Sequence, residues 1–333
     1  MKMKKILITG SEGFIGSHLV ERLISKGYNV KCLVLYNSFN NIGNLSYLDS
    51  KLLNKAEVIF GDIRDNNLIS EVSKNCSSII NLAALIGIPY SYKAVRSYID
   101  VNIIGTQNLL DAAIKNKVSR FIHTSTSEIY GSAQFTPMDE SHPYVAQSPY
   151  SASKISADAL VTAYNKSFNL NTIILRPFNT FGPRQSQRAV IPTIIQQALK
   201  QNKIFLGDVS PRRDFTYVTD TVTAFERAIN LSNKSSGGII NLGTGYSVSV
   251  LKITKIISKL LNKKINIISK KERYRPKNSE VTNLLSSNLK AKKILKWKLK
   301  FDGLDGLEKG LLRTINFYKK DYLSLRKINK FTY

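Results

Sequence analysis

Residues 150–154 read YSASK, and two of them, Tyr150 and Lys154, could carry out acid–base chemistry together. Ser148 and Pro149 are typical of a helix N-cap and first helical position, so the tyrosine and lysine are expected one turn apart on one helix face. A nearby ammonium stabilises a phenolate and lowers the tyrosine pKa, so that the phenolate can take a proton from a hydroxyl group. The alternative is a packed ring beside a solvated amine, and the choice depends on the rest of the chain.

A glycine-rich turn near the amino terminus favours the chemical interpretation. The sequence KKILITGSEGFIGSHLVERLISKGYNV predicts a strand at 6–9, a helix at 14–25 and a second strand at 28–35. Glycines in such a turn let backbone amides and the helix N-terminus approach a pyrophosphate, although glycine-rich turns also occur for steric reasons alone. We predict dinucleotide binding here. The expected cofactor contacts in this turn are Gly10, Gly13, Phe14, Ile15 and Gly16.

Strand and helix patterns go on alternating through the first half of the chain. Strand-like segments end just before Asp62, at Ala83 and Ala84, and at the hydroxyl-rich cluster 124–128. Such alternation predicts an α/β fold with a doubly wound parallel sheet of the Rossmann type. Ligands of these sheets bind beyond the carboxyl ends of the strands, so the residues at these three strand ends are expected to line one site.

The composition is that of a globular protein with 333 residues, 43% of them apolar. No apolar run reaches the roughly 18 residues of a membrane span, and the first strand begins where a signal peptide would have its apolar core. We therefore expect a cytoplasmic protein that does not insert in a membrane. Cys32, Cys76 and the three histidines lack metal-ligand spacing, so neither a disulfide framework nor a metal site is expected.

The formal charge of +26 is concentrated in residues 251–333, which hold 23 Lys/Arg and 6 Asp/Glu. A basic region of this kind can bind nucleic acid or an anionic membrane surface. The lysines are separated, however, and few arginines or interleaved aromatic residues accompany them. A solvated basic face is therefore predicted, with no nucleic-acid partner, although its field could attract an anionic small substrate. The lysines meant are Lys290, Lys292, Lys293, Lys296, Lys298 and Lys300.

Over nearly its whole length the chain resembles the extended short-chain dehydrogenase/reductase family, in the branch that modifies nucleotide sugars. The resemblance implies a mainly NAD(P)-binding Rossmann domain over residues 1–176. It implies a smaller α/β portion over residues 177–333 that mainly binds the nucleotide sugar, with some chain crossing between the two. The segments that carry the resemblance, besides the glycine turn, are GDIRD, NLAAL, VNIIGTQNLLDAA, TSTSEIYG, YSASK, RPFNTFGPRQ, RRDFTYVTD, NLGTGYSVSV and RYRPKNSE.

The resemblance also implies roles for individual residues. Tyr150 would be the base, and Lys154 would lower the pKa of Tyr150 and hold the nicotinamide ribose. Thr126 would hydrogen-bond a hydroxyl of the sugar, and Asn102 would make a supporting contact nearby. Asp62 would lie beside the adenine. The further cofactor-binding positions implied are Ile63, Ala83 and Ala84.

Glu128 distinguishes the reactions of this branch. Sugar 4-epimerases of the family usually lack a carboxylate at its position, whereas 4,6-dehydratases have one. Once a 4-ketone has formed, the C5 proton is acidic, and Glu128 could remove it while the C6 hydroxyl leaves as water. Glucose-type dehydratases carry Asp at the position of Ser127, so Ser127 would relay or orient here, as in the mannose-type enzymes. Uronate decarboxylases of the family share Thr-Ser-Glu and are the alternative.

Four segments carry a closer resemblance, namely VLYNSFNNIGNL, LAALIGIPYSY, RPFNTFGPRQSQRAVIPTII and RRDFTYVTDTV. They resemble the N-acetylglucosamine 4,6-dehydratases of the pathway to legionaminic acid, a bacterial surface sugar. This resemblance implies a UDP- or GDP-linked N-acetylglucosamine as the substrate, and the residues leave the base open. Arginine forks suit a diphosphate. The substrate contacts implied are Asn179, Arg213 and Arg275. Arg184, Arg188 and Arg212 are equally compatible with structural roles.

Cofactor choice and assembly are the last expectations. An acidic residue after the second strand usually selects NAD and an arginine selects NADP, but LYNSFNN holds neither. NAD or NADP is therefore expected, with NAD favoured by the family. The family also implies a homodimer formed through helices near 100–116 and 149–167. Because the catalytic set is complete, a non-catalytic dinucleotide-binding regulator is a distant alternative.

Overall fold

A computed structural model describes residues 5–270 and 281–321 of the chain. A seven-stranded, wholly parallel sheet dominates them, with strand order β10-β6-β5-β4-β1-β2-β3. Two smaller sheets, β11-β9-β7 and β12-β8, lie in the carboxyl-terminal portion. The doubly wound α/β fold with a smaller carboxyl-terminal α/β portion, predicted from the alternating pattern, is confirmed.

The strands are β1 Lys5–Thr9, β2 Asn29–Leu35, β3 Glu57–Gly61, β4 Cys76–Asn81, β5 Arg120–Thr124, β6 Thr172–Pro177, β7 Asn179–Phe181, β8 Lys203–Leu206, β9 Arg212–Tyr217, β10 Gly238–Leu242, β11 Ser247–Ser249 and β12 Asn266–Ser269. The α-helices are α1 Phe14–Ser25, α2 Ser50–Leu53, α3 Asn66–Val72, α4 Ile88–Ser91, α5 Val95–Tyr98, α6 Gly105–Lys115, α7 Pro149–Phe168, α8 Val190–Lys200, α9 Val218–Ile229, α10 Val250–Leu260, α11 Leu289–Ile294 and α12 Gly303–Asp321. A π-helical turn at Ile99–Ile104 joins α5 to α6, and 3₁₀ turns lie at Gly43–Tyr47, Ser127–Tyr130 and Asn233–Ser235.

The central strand β1 shows why the sheet is covered on both faces. Ile6, Leu7 and Ile8 are all fully buried. Ile6 and Ile8 join the apolar cluster on the α1 side, whereas Leu7 joins the cluster on the side of α3, α6 and α7. Successive side chains of a strand point to opposite faces, so a continuous apolar strand requires helices on both.

The chain crosses between its two portions. The edge strand β10 comes from Gly238–Leu242 and pairs with β6, and α9 packs against α1. The predicted basic face is largely as expected, since Lys292, Lys293, Lys296, Lys298 and Lys300 are exposed and Lys290 is half-buried. Within the described ranges no helix is both long and apolar enough to span a bilayer.

Candidate active site

The glycine turn and the end of β4 are fixed against each other by one hydroxyl group. The Thr9 hydroxyl accepts hydrogen bonds from the Leu82 and Ala83 N–H groups at 3.2 and 3.1 Å. It donates to the Asn81 side-chain oxygen at 2.8 Å. Gly10 has φ +64°, and a Cβ on it would lie 2.8 Å from the Ala83 nitrogen, so only glycine fits. The structure thus brings the predicted turn and Ala83 together at one edge of the sheet.

The amino end of α1 can receive an anion. Its N-cap residue is Gly13, and no side chain caps the helix there. Backbone N–H groups in the first turn of a helix have no intrahelical partner, and the helix dipole favours negative charge at this end. Gly10, Gly13 and Gly16 have no side chains that would hinder a ligand from approaching this end of the helix. These features fit the pyrophosphate of a dinucleotide, with Phe14 and Ile15 supplying N–H groups.

Helix α7 begins where its sequence predicted. Ser148 is the N-cap and Pro149 the first residue, and Ser148 and Ser151 form a reciprocal capping box. Tyr150 and Lys154 follow one turn apart, and their exposed fractions are only 7% and 3%. The interpretation of Lys154 as a solvated surface amine is therefore wrong. Both side chains are therefore buried in the protein.

The pKa of Tyr150 differs from the expectation. Burial raises it above its ordinary value, a hydrogen bond with the Thr126 side chain lowers it, and the Glu128 charge raises it. The Tyr98 ring packs edge-on at a centroid distance of 6.2 Å and adds to the apolar surroundings. The predicted lowering of the Tyr150 pKa is thus not found in the protein alone. The physical reason is that loss of hydration on burial outweighs the hydrogen bond with Thr126.

The Lys154 ammonium hydrogen-bonds to a main-chain carbonyl and is shielded from solvent. Its Nζ donates to the Thr124 carbonyl at 2.6 Å and lies 3.5 Å from His123 Nε2. Burial lowers the pKa of Lys154 to about 8, and Asp158 opposes that shift. Burial, together with the charges of Lys154 and Arg176, holds the pKa of His123 well below its usual range. The imidazole beside Lys154 is therefore neutral near pH 7.

A buried ionic cluster lies behind this lysine, and the sequence patterns did not indicate it. Asp158 accepts hydrogen bonds from Ser125 Oγ at 2.8 Å and from Arg176 Nη2 at 3.0 Å. Arg176 in turn donates to the Tyr130 hydroxyl at 2.9 Å. Burial raises the pKa of Asp158, while Arg176 and Lys154 lower it. In the sequence, the one indication of this cluster was that Asp158 follows Lys154 by four residues, which places both on one face of a helix.

Asn102 lies near Tyr150 although the two are distant in the sequence, and its supporting role stays a prediction. It lies in the π-helical turn, a feature often found at functional sites. Its side chain exchanges hydrogen bonds with the Leu85 main chain at 2.9 and 3.0 Å and donates to Ser153 Oγ at 2.9 Å. Asn102 therefore links the segment after Ala83 and Ala84 to the helix that carries Tyr150.

The Thr-Ser-Glu segment forms a 3₁₀ turn directly after β5. The Thr126 hydroxyl accepts a hydrogen bond from the Glu128 N–H at 3.2 Å, which starts the turn. Ser127 is buried and Glu128 half-buried. The Glu128 carboxylate lies close enough to Tyr150 for its charge to raise the pKa of the phenol. The structure therefore brings Thr126, Glu128 and Tyr150 together, whereas their chemical roles stay predictions.

Asp62 and Ile63 lie beyond the end of β3, at the same edge of the sheet. Arg64 donates to both Asp62 oxygens, with Nη2 at 2.6 Å, and this hydrogen bond lowers the pKa of Asp62. Ile63 is buried, and its carbonyl accepts a hydrogen bond from Asn108 at 3.0 Å. Asp62 is thus a half-buried carboxylate that already has a cationic neighbour, Arg64.

The predicted substrate contacts come from the small sheet. Asn179 begins β7 and pairs in register with Phe215 of β9, two residues after Arg213. The Asn179 Oδ1 atom is buried and accepts no hydrogen bond from the residues that the structure describes. Arg213 is 7% exposed, and its Nη1 donates to the Arg212 carbonyl at 3.0 Å. Arg275 lies outside the described residues.

Arg184 and Arg212, two of the remaining arginines, have structural partners. Arg184 pairs with Glu21 of α1 at 2.7 Å, and Arg212 donates to the Ser247 carbonyl at 2.6 Å. Asp214, which the sequence patterns also missed, accepts hydrogen bonds from Thr244 N at 2.8 Å, Thr244 Oγ1 at 2.7 Å, Gly245 N at 2.9 Å and Ser286 N at 3.2 Å. In the part of the chain that the structure describes, no three His, Cys, Asp or Glu side chains are grouped as metal ligands would be.

Comparison with known proteins gives a consistent result. The family model described as GDP-mannose 4,6 dehydratase matches residues 7–309. A putative UDP-glucose 4-epimerase of Methanocaldococcus jannaschii is 33% identical, over 95% of this chain and 99% of the relative. The dTDP-glucose 4,6-dehydratase of Streptomyces venezuelae, solved with NAD bound, superposes with a TM-score of 0.85 at 26% identity, over 97% of this chain and 99% of the other. The UDP-glucuronic acid 4-epimerase of Bacillus cereus, solved with NAD and UDP-glucuronic acid, gives 0.85 at 29% identity, over 95% and 99%.

Proposed function

The chain belongs to the GDP-mannose 4,6 dehydratase family of nucleotide-sugar dehydratases and epimerases, and from this membership we propose that it is a nucleotide-sugar 4,6-dehydratase. The proposed substrate is a UDP- or GDP-linked N-acetylglucosamine, and the product is its 4-keto-6-deoxy derivative. The observation that supports the proposal is that the Glu128 carboxylate lies close enough to Tyr150 to raise its pKa, while the Thr126 side chain hydrogen-bonds Tyr150. A 4-epimerase needs no carboxylate at this position, whereas an elimination needs a base that removes the C5 proton.

Tyr150 and Thr126 act on the C4 hydroxyl. Tyr150 takes its proton, and Thr126 holds the hydroxyl by hydrogen bonding, as a positioned base and its partner do. The glycine turn and Lys154 would hold a nicotinamide dinucleotide, which would supply reversible hydride transfer between C4 and C6. Because burial raises the pKa of Tyr150, the phenolate that accepts the proton must be stabilised by additional positive charge in the completed site. Lys154, one turn away, is the cation that the chain contributes.

Glu128 acts on the neighbouring carbon. Once C4 is a ketone, the C5 proton is acidic, and the Glu128 carboxylate removes it. The C6 hydroxyl then leaves as water, with its proton delivered through Glu128 or relayed by the Ser127 hydroxyl. Ser127 is buried, and a serine is a poor acid by itself, so it orients the leaving group. Hydride return to C6 is accompanied by protonation of C5 from solvent. One hydride leaves C4 and one returns to C6, so no external oxidant or reductant is consumed.

NAD is the favoured cofactor, and a nucleoside diphosphate is the anchoring part of the substrate. Two of the solved relatives carry NAD, and one carries UDP-glucuronic acid. The uncapped amino end of α1 supports a bound pyrophosphate. The buried, unpartnered Asn179 oxygen supports a hydrogen-bond donor on the substrate. Arg213 contributes positive charge on the same small sheet.

A 4-epimerase is the second candidate, because the relatives include proteins named as UDP-glucose and UDP-glucuronic acid 4-epimerases. The deciding experiment is turnover of a panel of UDP-, GDP- and dTDP-sugars in heavy water, with the products weighed. A dehydratase product loses the mass of water and carries deuterium at C5. A 4-epimerase releases a product that lacks this loss, and a uronate decarboxylase releases carbon dioxide. Either outcome would overturn the proposal.

Glu128→Gln tests the residue on which the proposal depends. The amide keeps the shape and removes the base, so elimination should slow by about a hundredfold or more while C4 oxidation continues. Reduced nicotinamide and a 4-keto sugar should then accumulate on the enzyme in a single turnover. Glu71→Gln, a change at an exposed carboxylate paired with Lys74, is the control and should behave as the wild type. Elimination at the wild-type rate in Glu128→Gln would remove Glu128 from the mechanism.

A homodimer is also proposed. The helical face formed by the π-turn and α7 exposes apolar side chains, among them Ile99 at 39%, Ile104 at 42% and Phe168 at 59%. Exposed apolar groups on neighbouring helices are typical of a subunit interface. Sedimentation equilibrium of the whole chain should give twice the monomer mass, and a monomer at micromolar concentration would contradict the proposal.

A further inference from the structure

A shallow pocket lies beyond the carboxyl end of β2. It is lined by Glu12, Leu35, Tyr36, Asn37, Phe39, Asn41 and Gly43. In a Rossmann sheet the adenosine ribose of a dinucleotide lies at the end of the second strand, where an acidic residue roughly 20 residues after the glycine turn usually binds its 2′-hydroxyl. This chain has no acidic residue at 35–41. The inference below rests on the proposed function only in requiring that the chain bind a dinucleotide.

The asparagines of the pocket hold the loop itself. Asn37 Nδ2 donates to the Leu35 and Asn41 carbonyls at 3.2 and 2.9 Å, and Asn37 Oδ1 accepts from Asn41 N at 2.8 Å. Asn41 Oδ1 accepts from Gly43 N at 2.8 Å. Both amide side chains therefore have internal partners that fix the segment from Leu35 to Gly43. Neither is placed to replace the missing carboxylate.

Glu12 brings a carboxylate to this pocket from the glycine turn. Its Oε1 accepts a hydrogen bond from the Leu35 N–H at 3.1 Å, at the last residue of β2. The Glu12 main chain is fixed as well, because Asn44 N donates a hydrogen bond to the Glu12 carbonyl at 3.0 Å. A Cβ on Gly43, whose φ is +56°, would lie 2.9 Å from the Glu12 Cβ. Glu12 is thus the one acidic side chain among the described lining residues of the pocket.

The second oxygen of this carboxylate lacks a donor. Glu12 Oε2 is shielded from solvent and accepts no hydrogen bond from the described residues. Burial raises the pKa of Glu12 above its ordinary value, and the hydrogen bond from Leu35 opposes the shift. A buried carboxylate oxygen without a donor is unfavourable. The Glu12 side chain is only partly buried, and a turn of its carboxylate toward the pocket would let a ribose hydroxyl donate to this oxygen.

We propose that Glu12 selects the cofactor: its carboxylate accepts a hydrogen bond from a hydroxyl of the adenosine ribose and repels a 2′-phosphate. The chain therefore uses NAD and discriminates against NADP, although the usual acidic residue after β2 is missing. Two negative charges a few ångströms apart in a partly buried pocket repel strongly, whereas a ribose hydroxyl donates to the same group. The selecting residue thus lies in the glycine turn and reaches the end of β2 across the gap between them.

The test measures binding of NAD⁺ and NADP⁺ by calorimetry, without any sugar nucleotide. The wild type should bind NAD⁺ at least about tenfold more tightly than NADP⁺, because one hydrogen bond to a charged group is gained and one repulsion avoided. Glu12→Gln can still accept from Leu35 N–H but carries no charge. It should bind NADP⁺ about tenfold more tightly and NAD⁺ several-fold more weakly than the wild type.

Two further variants separate charge from shape. Glu12→Asp keeps the charge and withdraws it by one methylene, so exclusion of NADP⁺ should persist while NAD⁺ binding weakens. Glu71→Gln, at an exposed carboxylate on α3, should leave both affinities unchanged. Melting temperatures of all variants check that they are folded.

Three results would overturn the inference. They are equal wild-type affinity for the two dinucleotides, an unchanged preference in Glu12→Gln, and failure of the wild type to bind either dinucleotide. The test is independent of the reaction that follows. A chain with a Glu12-dependent preference for NAD⁺ that dehydrates no sugar nucleotide would contradict the proposed function and leave this inference standing.

Discussion

Two buried aspartates, one behind the candidate active site and one in the carboxyl-terminal portion, are surrounded in different ways. Asp158 lies among cations, with Arg176 Nη2 at 3.0 Å and Lys154 close enough to affect its pKa. Asp214 is held by neutral donors, namely the N–H groups of Thr244, Gly245 and Ser286 and the Thr244 hydroxyl. Both side chains are almost wholly inaccessible to solvent.

The difference indicates what each region is built to do. Asp158 supplies negative charge that offsets Lys154 and Arg176, and so keeps an ammonium inside the protein one turn from Tyr150. Asp214 gathers three main-chain segments, β9 and the loops at 243–246 and 286, into one carboxyl-terminal unit. Burial raises the pKa of Asp214 to about 6, with only neutral hydrogen bonds to oppose it. The first region is organised by charge, the second by hydrogen-bond geometry.

The largest effect is expected from Asp158→Asn. Removing the anion leaves Arg176 and Lys154 buried without their counter-charge, and breaking one side of a buried ion pair typically costs about 3–5 kcal/mol. Urea denaturation should show this loss in the free energy of unfolding, and cofactor binding should weaken because the pKa of Lys154 falls further. Glu71→Gln, on the surface, should lose nothing measurable. A loss below about 1 kcal/mol, the range of an exposed pair, would show that charge does not organise this region.

Tyr150→Phe should separate activity from stability within the same region. Removal of a positioned proton-transfer group should lower turnover by about a hundredfold or more. The free energy of unfolding should change by no more than about 1 kcal/mol, because the hydroxyl makes a single hydrogen bond and is costly to bury. Tyr164→Phe, on the same helix with its hydroxyl bonded to Asp111, should retain activity. Wild-type turnover in Tyr150→Phe would refute its role as the base.

The smallest effect is a pH dependence of stability that Asp214 should confer. The Asp214 pKa of about 6 in the folded protein lies above the ordinary value of 3.8. The folded state therefore binds a proton before the unfolded state does, and its contribution to stability is full below the ordinary pKa and lost as pH rises through about 6. The difference in unfolding free energy between wild type and Asp214→Asn should be larger at pH 5 than at pH 7 by about 1 kcal/mol. Equal differences at the two pH values would show that Asp214 titrates normally.

Features that depend on neighbouring residues were predictable from the sequence. The helix Phe14–Ser25 has the predicted bounds because an apolar period and the glycines at its two ends are local signals. The start of α7 at Pro149 was predictable because the capping residue Ser148 bonds to a residue three positions away. The parallel sheet was predictable from the alternation of strand and helix patterns along the chain. The placement of Thr126 and Asp62 was predictable because the carboxyl ends of the strands of such a sheet meet at one edge.

Features that depend on distant residues were decided by the tertiary structure. Asp158 meets Arg176 across 18 positions, Asp214 meets Ser286 across 72, and Glu12 meets Leu35 across 23. The raised pKa of Tyr150 arises in the same way, since burial and the charge of Glu128 outweigh the hydrogen bond with the Thr126 side chain. The sequence by itself therefore determined which chemical groups are present and which strand ends carry them. Their solvation and their counter-charges, which set how those groups ionise, depend on packing between segments and exist only in the folded chain.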